Sequence, residues 1–374
     1  MGWPIPEIPR QYVIAKPRYW FWFMMLLLML AVGALFSLLI FNVTTYVQAL
    51  LYGALPALFL WFCLFGIVLN RYEQSVAGSV SWDAETKQTK KHWQHWSRRQ
   101  LAIVGNVLLS PEEHGMDDLL GDIADIPAYP EKARPLFGSP QTLSTLLNNI
   151  DQQLEQQHPH YRQFLQTIYV LAANSATGVS IEKSVFEQWD LVSERIDSIE
   201  DIQSFYDAEN SDGLFLILCF QHWPGGESRE YSELISAQLI ASTVFARQHA
   251  MPVIAGLGRM MPLEAKKLSH DLDMLFEYNQ LNKQKLQYVW LSGDVEKTPV
   301  EIMQYAEQHQ WSLPVKKPLY SIDYSFGPAG GLIFPLSLAM LSEAARKTGK
   351  DQLIIYQTPQ QTGTLCLISQ ELYS

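Results

Sequence analysis

Cys219 and His222 are the best-spaced nucleophile and base in the sequence, within the segment LILCFQHW. A catalytic thiolate needs a partner that lowers its pKa, and it needs a polar, accessible setting. Cys219 instead ends a run of Leu, Phe and Ile residues, which is typical of a buried strand and favours an inert core thiol. We therefore predict a core cysteine and keep the Cys219–His222 pair as an alternative catalytic site.

Other catalytic, cofactor and metal motifs are missing from the sequence. It contains no G-x-S-x-G elbow and no glycine-rich phosphate loop followed by lysine. GLGRMM at Gly256 holds a single G-x-G and predicts a turn. Two histidine pairs, His92/His95 and His158/His160, lack a third ligand at a usual offset and are interpreted as surface residues. The sequence therefore predicts neither a metal nor a cofactor.

A glycine-rich turn runs into an apolar helix in SIDYSFGPAGGLIFPLSLAM, residues 321–340. Such turns often hold a catalytic group or an anion. Asp323 and Pro328 occupy the positions where a catalytic side chain would be expected. The glycines Gly327, Gly330 and Gly331 are predicted to serve a tight turn and close helix packing rather than an oxyanion.

Strands and helices alternate along the part of the chain that must position these residues, which predicts a layered α/β domain. Residues 111–140 are rich in Pro, Gly and Asp and are predicted to be irregular. The predicted strands are Leu101–Leu109, Phe164–Ala173, Leu214–Phe220, Pro252–Gly256, Leu286–Leu291, Gln352–Tyr356 and Gly363–Ser369. The predicted helices are Gln141–Gln157, Ile181–Arg195, Arg229–Gln248, Leu263–Asn279, Pro299–Gln308 and the helix after the quoted turn.

Two apolar runs, Tyr19–Phe41 and Val47–Leu69, lie in a stretch that has no charged residue from Tyr19 to Asn70. Each is long enough to cross a hydrocarbon core of about 30 Å, which takes roughly 20 helical residues. Only residues 42–46 separate them, so they predict a transmembrane hairpin in residues 1–71 rather than a cleavable signal peptide. A buried helical pair in a soluble protein is the alternative. A polar juxtamembrane linker, 72–100, and the α/β domain, 101–374, follow.

Basic residues flank both outer ends of the hairpin, and the turn contains no Lys or Arg. The positive-inside rule therefore places both termini and the C-terminal domain in the cytoplasm. Tyr19, Trp20 and Trp22 fit an aromatic belt at the inner interface. The flanking basic residues are Arg10, Lys16 and Arg18 before the hairpin, and Arg71, Lys87, Lys90, Lys91, Arg98 and Arg99 after it.

The chain has a net charge of −11, and residues 72–374 carry −14 of it, because residues 1–71 carry four basic side chains and one acid. Such a body would repel nucleic-acid phosphates, so no nucleic acid is expected as a partner. The basic run from Lys87 to Arg99 is interpreted as lying on anionic lipid. Cys63, Cys219 and Cys366 are far apart, which favours reduced thiols over a disulfide framework.

Three segments resemble the ketosynthase branch of the thiolase-like superfamily: LAIVGNVLLSPEEHG (Leu101–Gly115), LQYVWLSGDVEKTPVEI (Leu286–Ile302) and PLYSIDYSFGPAGGLIF (Pro318–Phe334). Leu101–Gly115 is similar to the opening strand of a ketosynthase. Leu286–Ile302 is similar to the strand that delivers its first active-site histidine. Pro318–Phe334 is similar to the segment that carries its lysine and a Gly-His pair.

The resemblance implies a set of catalytic positions that this chain fills differently. Ser292, before Gly293, stands at the first histidine position, Asp323 at the lysine position and Pro328 at the second histidine position. No segment matches the nucleophilic cysteine turn. A condensing enzyme needs a thiolate and imidazole donors, whereas proline has no N–H to donate. The preferred interpretation is a degenerate thiolase-like scaffold without catalytic residues, in which Gly293 is a structural turn.

A membrane hairpin followed by a thiolase-like domain, with the ending TGTLCLIS, also resembles a family of bacterial proteins encoded beside lipase effectors of the type VI secretion system. That resemblance implies an adaptor in the bacterial inner membrane that holds a phospholipase effector and assists its loading onto the spike protein. It implies protein partners, and no cofactor or small-molecule substrate.

Two other functions stay open at this stage. One is a membrane-attached acyl-transfer enzyme that uses Cys219 with Ser292 or His222. The other is a membrane-anchored immunity protein against a lipase, which would face the periplasm.

Overall fold

The computed structural model describes residues 3–6, 8–40, 45–121, 126–139, 141–172, 175–207, 213–223, 230–263, 267–328, 330–358 and 362–373. The chain forms two compact units. One is Ile5–His92, and the other comprises Met1–Pro4 and Trp93–Ser374.

The first unit contains two helical segments that are long and apolar enough to cross a membrane. Only 6% of the residues in each apolar window are buried, so these windows are not the core of a globular unit. Residues 41–44, which include most of the predicted turn, lie outside the described residues. The helices are α1 (Tyr19–Ile40), α2 (Tyr46–Ala49) and α3 (Leu55–Ser97), with a π-helical turn at Leu50–Ala54 between α2 and α3.

Two glycines let the helical segments of this unit approach closely. A Cβ on Gly33 would lie 2.6 Å from the carbonyl oxygen of Gly53, and a Cβ on Gly53 would lie 2.5 Å from that of Gly33. Both distances are shorter than real Cβ contacts, so the contact requires glycine on both sides, as is common between helices in membranes. Nε1 of Trp61 also donates to the carbonyl oxygen of Trp22 over 2.9 Å.

The polar segment 72–100, expected as a linker, is helical as far as Ser97 because α3 continues through it. The segment contains no proline, so no position interrupts the backbone hydrogen bonds.

The described residues of the second unit form one mixed sheet with helices packed on it. The strands are β1 (Gln100–Leu109), β2 (Leu165–Ala172), β3 (Ser193–Arg195), β4 (Leu214–Gln221), β5 (Leu234–Ser242), β6 (Ala255–Gly258), β7 (Met261–Leu263), β8 (Tyr288–Gly293), β9 (Tyr320–Ser321), β10 (Gln352–Gln357) and β11 (Gly363–Ser369). The helices are α4 (Met116–Leu120), α5 (Leu143–Gln157), α6 (Ser175–Trp189), α7 (Thr243–Gln248), α8 (Leu268–Tyr278), α9 (Thr298–Gln308), α10 (Ile322–Phe326) and α11 (Ile333–Thr348), with 3₁₀ helices at Tyr161–Gln163 and Ile199–Tyr206.

The sheet consists of two halves with the same topology. Its order is β3-β2-β4-β5-β1-β6-β11-β10-β8-β9, and β7 pairs with β11. In the first half β2 runs parallel to β3 and β4, while β5 runs antiparallel to β4 and β1. In the second half β8 runs parallel to β9 and β10, while β11 runs antiparallel to β10 and β6. The halves meet where β1 pairs antiparallel with β6, so the unit is internally duplicated.

Two apolar clusters hold the layers together. The first takes strand residues from both halves, including Ile240 and Trp290, and it surrounds α11 and the 3₁₀ helix Ile199–Tyr206. The second lies on the opposite face of the first half, where α5 and α6 cover β1, β2 and β4. Because both faces are covered, the central strands are buried along almost their whole length.

One predicted helix is wrong. The segment Arg229–Gln248 was expected to be helical, but Leu234–Ser242 forms β5, and only Thr243–Gln248 is α-helical. All nine residues of β5 are buried between β4 and β1. A strand covered on both faces loses the alternation of polar and apolar residues that would distinguish it from a helix. The end of the predicted helix Ile181–Arg195 is also wrong, because α6 ends at Trp189 and Ser193–Arg195 forms β3. The segment 111–140, expected to be irregular, contains the short helix α4. The other predicted elements correspond to observed ones, with shifted bounds.

Candidate functional site

Ser292 and Asp323, two of the residues at the expected catalytic positions, are hydrogen-bonded to each other. Oγ of Ser292 donates to Oδ1 of Asp323 over 3.0 Å and lies 3.3 Å from Oδ2. The backbone N–H of Gly293 donates to Oδ2 over 2.6 Å. The end of β8 thus supplies both donors, and the first turn of α10 supplies the carboxylate.

The end of β8 takes this shape because Gly293 has a φ of 84°, a conformation that favours glycine. A Cβ at Gly293 would overlap the carbonyl oxygen of Gln357 at the end of the parallel strand β10. That same oxygen accepts the N–H of Asp294 over 2.9 Å. Gly293 is therefore a structural turn that aims its own N–H at Asp323.

Burial raises the pKa of Asp323 to about 6, although the hydrogen bonds from Gly293 and Ser292 pull it in the opposite direction. Among the described residues, none forms an ion pair with this carboxylate. Ser292 is fully buried, whereas Asp323 is partly exposed. The site therefore holds an ionisable group whose charged form is stabilised by two hydrogen bonds but by no countercharge.

Pro328 contributes its backbone to the site. Its carbonyl oxygen accepts the N–H of Ser232 over 3.4 Å, just before β5. Gly327, with a φ of 97°, packs against the same segment, since a Cβ there would overlap Oγ of Ser232 and would also lie 2.5 Å from the carbonyl oxygen of Lys132. The turn after α10 thus lies against the connection between β4 and β5, at the ends of strands from both halves.

The two remaining glycines of the turn differ from each other. A Cβ on Gly330 would overlap the buried side chain of Gln221, so close packing requires glycine there. A Cβ on Gly331 would meet nothing within 4 Å. The predicted packing role therefore fits Gly330, whereas packing does not require glycine at position 331.

Cys219 lies inside the first apolar cluster with 1% of its surface exposed. Burial raises the pKa of its thiol far above the ordinary value. Cys366 is also buried, and Cys63 lies in α3. Because all three cysteines of the chain are described, the α/β unit presents no accessible thiolate.

The imidazole of His222 pairs with a glutamate instead of with Cys219. Nδ1 of His222 lies 2.6 Å from Oε1 of Glu233. Glu233 also accepts the backbone N–H groups of Trp223 and Leu136, over 2.9 and 3.0 Å. Burial raises the pKa of Glu233, but the contact with His222 and the hydrogen bonds from Trp223 and Leu136 outweigh it, and the pKa lies below its ordinary value. The side chain of His222 is 30% exposed, and its Nδ1 makes this close contact without hydrogen-bond geometry.

Sequence reasoning missed Glu233, although one signal was present. A single acid stands directly before the apolar run of β5, where a charge is costly unless it is fully hydrogen-bonded. A second difference concerns His158, which was interpreted as a surface residue. It is only 8% exposed, and it is the C-cap residue of α5. Within the described residues, no cluster of three His, Cys, Asp or Glu side chains could hold a metal.

Solved ketosynthases share the fold of this α/β unit. The ketosynthase from module 1 of the bacillaene synthase of Bacillus amyloliquefaciens FZB42 has a TM-score of 0.51 at 10% identity, with 75% of this chain and 77% of that chain covered. Ketosynthase twelve of the bacillaene synthase of Bacillus amyloliquefaciens has a TM-score of 0.50 at 12% identity, with 74% of each chain covered. The AntDE:AntF complex, a type II PKS acyl-carrier protein with its ketosynthase, gives 0.51 at 10% identity, covering 73% of this chain and 99% of that chain.

The unit therefore has the layered α/β fold of these ketosynthases, and the helical segments of the first unit precede it in the chain. At these identities the likeness concerns the fold alone. No protein-family profile and no curated protein matches the chain. What the site can do chemically follows from its own groups: it offers a carboxylate, a hydroxyl that is already bonded to it, and a histidine held by a second carboxylate.

Proposed function

We propose that this chain is a non-catalytic, membrane-anchored adaptor that binds a type VI secretion phospholipase effector and assists its loading onto the secretion spike. The observation that carries the proposal is the closed set of hydrogen bonds among Ser292, Gly293 and Asp323. These groups stand where a ketosynthase-like enzyme would need free proton donors, and they are bonded to one another.

The thiol chemistry of the scaffold supports the same proposal. Acyl transfer through a thioester needs a thiolate that a substrate can reach. Cys219 is buried in the apolar cluster, and its raised pKa keeps it protonated. The unit shares the layered fold of ketosynthases, and its surface can bind another protein without a reaction at the site.

We place the protein in the bacterial inner membrane, with both termini and the α/β domain in the cytoplasm. The distribution of Lys and Arg around the hairpin supports this orientation. A phosphatase reporter fused after Ser374 is expected to be inactive in the periplasmic assay. An active reporter would contradict the orientation and would favour an immunity protein that meets a lipase in the periplasm.

The adaptor role is tested by co-purification. The full chain, tagged and solubilised in detergent, is co-expressed with the lipase effector and the spike protein encoded in the same gene cluster. We expect the effector to co-purify with the chain in a defined ratio, and an unrelated lipase to be lost in the wash. If neither the effector nor the spike protein co-purifies, the proposal is wrong.

Acyl transfer is the second candidate, because the fold is that of acyl-transferring enzymes. Its test is turnover of acyl-CoA by the full chain, compared with a Cys219→Ala variant. Turnover that disappears in this variant would replace the adaptor proposal with an enzyme, whereas the buried thiol leads us to expect no turnover by either protein.

A further inference from the structure

Trp3, which precedes both apolar segments of the chain, is buried in the second unit with 5% of its surface exposed. Its Nε1 donates to the carbonyl oxygen of Met260, just before β7, over 3.2 Å. Its ring meets the ring of Trp96 edge-on, with 5.9 Å between the ring centres. None of the other described residues in 3–16, here called the N-terminal tail, is buried. Trp3 is therefore the buried anchor of an otherwise exposed segment.

The tail also contacts α3 within the first unit. The backbone N–H of Ile14 donates to Oγ of Ser75 over 2.9 Å, and Nε1 of Trp82 donates to the carbonyl oxygen of Pro9 over 3.0 Å. Both hydrogen bonds are exposed to solvent. As the tail is followed back from Ile14, its contacts move forward along α3, so the tail runs antiparallel to this helix. Three prolines disfavour a helix in the tail: Pro4, Pro6 and Pro9.

The site that receives Trp3 is held in place by Arg259. The guanidinium of Arg259 lies 4.2 Å from the ring centre of Trp96 and 5.0 Å from that of Tyr206. Its Nε donates to the carbonyl oxygen of Trp96 over 2.9 Å, and the group pairs with Asp207. Trp, Tyr and Arg are the residues that contribute most to binding at protein interfaces. The site therefore has the composition of an interface, and Trp3 is the side chain that occupies it.

We propose that the N-terminal tail is a strap along α3, which Trp3 fastens in cis to the α/β unit at the site formed by Trp96 and Met260. The inference goes beyond the adaptor function and does not use it. Exposed hydrogen bonds such as those of Pro9 and Ile14 compete with water and contribute little to stability, so the buried indole supplies most of the attachment. Release of Trp3 unfastens the strap and uncovers the interface-like site beneath it.

The fastened strap also constrains how the chain crosses the membrane. Trp3 precedes both apolar segments, and Trp96 follows them. Their contact requires both residues to lie in one compartment, so the chain between them crosses the membrane an even number of times. This consequence holds whether the α/β unit faces the cytoplasm or the periplasm, and it is therefore independent of the orientation proposed above.

The test follows Trp3 directly in the full chain, solubilised in detergent and labelled with 5-fluorotryptophan. The ¹⁹F resonance of Trp3 is assigned by its absence from a Trp3→Phe variant, and a water-soluble gadolinium chelate reports its exposure. Buried Trp290 and exposed Trp82 are the internal references. We expect Trp3 to be protected from the chelate like Trp290. A Trp3 resonance that broadens as strongly as that of Trp82 would overturn the proposal.

Two variants test the receiving site. Trp96→Ala removes the ring that Trp3 contacts, and Arg259→Ala removes the group that holds this ring. We expect the Trp3 resonance to lose its protection in both, while Trp290 stays protected and shows that the fold persists. Arg346→Ala removes an exposed arginine on α11 and should change neither resonance. If Trp3 stays protected in either variant whose fold persists, the proposed site is wrong.

Dilution distinguishes a strap in cis from an exchange between two copies of the chain. Protection of Trp3 should not depend on protein concentration. Protection that is lost on dilution would place Trp3 in a neighbouring copy and would overturn the contact in cis.

Thiol labelling tests the constraint on topology in sealed membrane vesicles. A Cys63→Ala background leaves only buried thiols, to which Pro6→Cys in the tail or Glu307→Cys on α9 is added, both at exposed positions. A membrane-impermeant maleimide should label both positions in the same vesicle orientation, right-side-out or inside-out. Labelling in opposite orientations would overturn the strap. Labelling of both from the periplasmic side would contradict only the proposed orientation.

Discussion

Nδ1 of His222 lies 2.6 Å from Oε1 of Glu233, and this contact joins the residue that follows β4 to the residue that precedes β5. The same carboxylate accepts two backbone N–H groups, one of them from Leu136. One buried side chain thus fixes three segments at the edge of the candidate site.

Glu233→Ala is expected to lower the free energy of unfolding by about 3 kcal/mol, because it leaves buried N–H groups without an acceptor. Glu233→Gln keeps an acceptor oxygen, so it should lower the free energy of unfolding by less than Glu233→Ala does. The measurement is chemical denaturation of the full chain in detergent. Glu307→Gln, an exposed acid on α9, should change the value by no more than about 0.5 kcal/mol. If Glu233→Ala and Glu307→Gln lower the free energy of unfolding by the same amount, the role of Glu233 is contradicted.

Asp323 should make stability depend on pH. Its pKa is raised from 3.8 in the unfolded chain to about 6 in the folded protein, so the folded state binds the proton more tightly. The stability of the wild type should therefore fall as the pH rises from about 4 through 6. Asp323→Asn should remove this dependence and gain about 2 kcal/mol at pH 8, a value reduced for the partial exposure of the side chain. If Asp323→Asn is less stable than the wild type at pH 8, the charge of Asp323 does not destabilise the folded protein and this explanation is wrong.

Gly293→Ala and Gly331→Ala form a matched pair in the same site. Alanine at position 293 must adopt a φ of 84° and overlap the carbonyl oxygen of Gln357, whereas alanine at position 331 meets open space. We expect a loss of about 3 kcal/mol for the first variant and a change within about 0.5 kcal/mol for the second. Thermal unfolding of both variants checks this difference, and similar melting temperatures would show that the turn tolerates a side chain.

Gly33→Val should weaken the contact between the helices of the hairpin, because its side chain would meet the backbone of Gly53. Overpacking of this kind costs about 1–3 kcal/mol. Gly66→Val is the control, since a Cβ at Gly66 meets nothing within 4 Å. Unfolding by SDS in mixed micelles, followed by tryptophan fluorescence, should separate the two variants. If Gly33→Val unfolds at the same SDS fraction as the wild type, close packing at this position contributes nothing.

The sequence predicted those strands whose apolar pattern corresponds to their burial in the folded protein. LAIVGNVLL forms β1, and the glycine-ended strand before Asp294 forms β8, as the apolar runs indicated. The segment that contains Leu234–Ser242 was misjudged because both faces of that strand are covered, so its apolar residues show no period of two. Local pattern cannot report how many faces of a strand the rest of the chain will cover.

The sequence also placed Ser292, Asp323 and Pro328 in one region, through the resemblance that aligned them. It could not show that Ser292 and Asp323 bond to each other, because that contact depends on how β8 and α10 are positioned in space, 31 residues apart along the chain. The contact between His222 and Glu233 could not be predicted for the same reason, because the two residues meet only when β4 and β5 pair antiparallel.

The antiparallel pairing of β1 with β6 has a consequence for synthesis of the chain. β1 emerges from the ribosome long before β6, and pairing with β5 satisfies only one of its sides. Until β6 is made, the other side of Gln100–Ile103 in β1 exposes unpaired backbone groups beside apolar side chains, which is a template for association with other nascent chains. Translation speed and chaperone capture between Leu109 and Gly258 should therefore govern how much of this protein reaches its folded state.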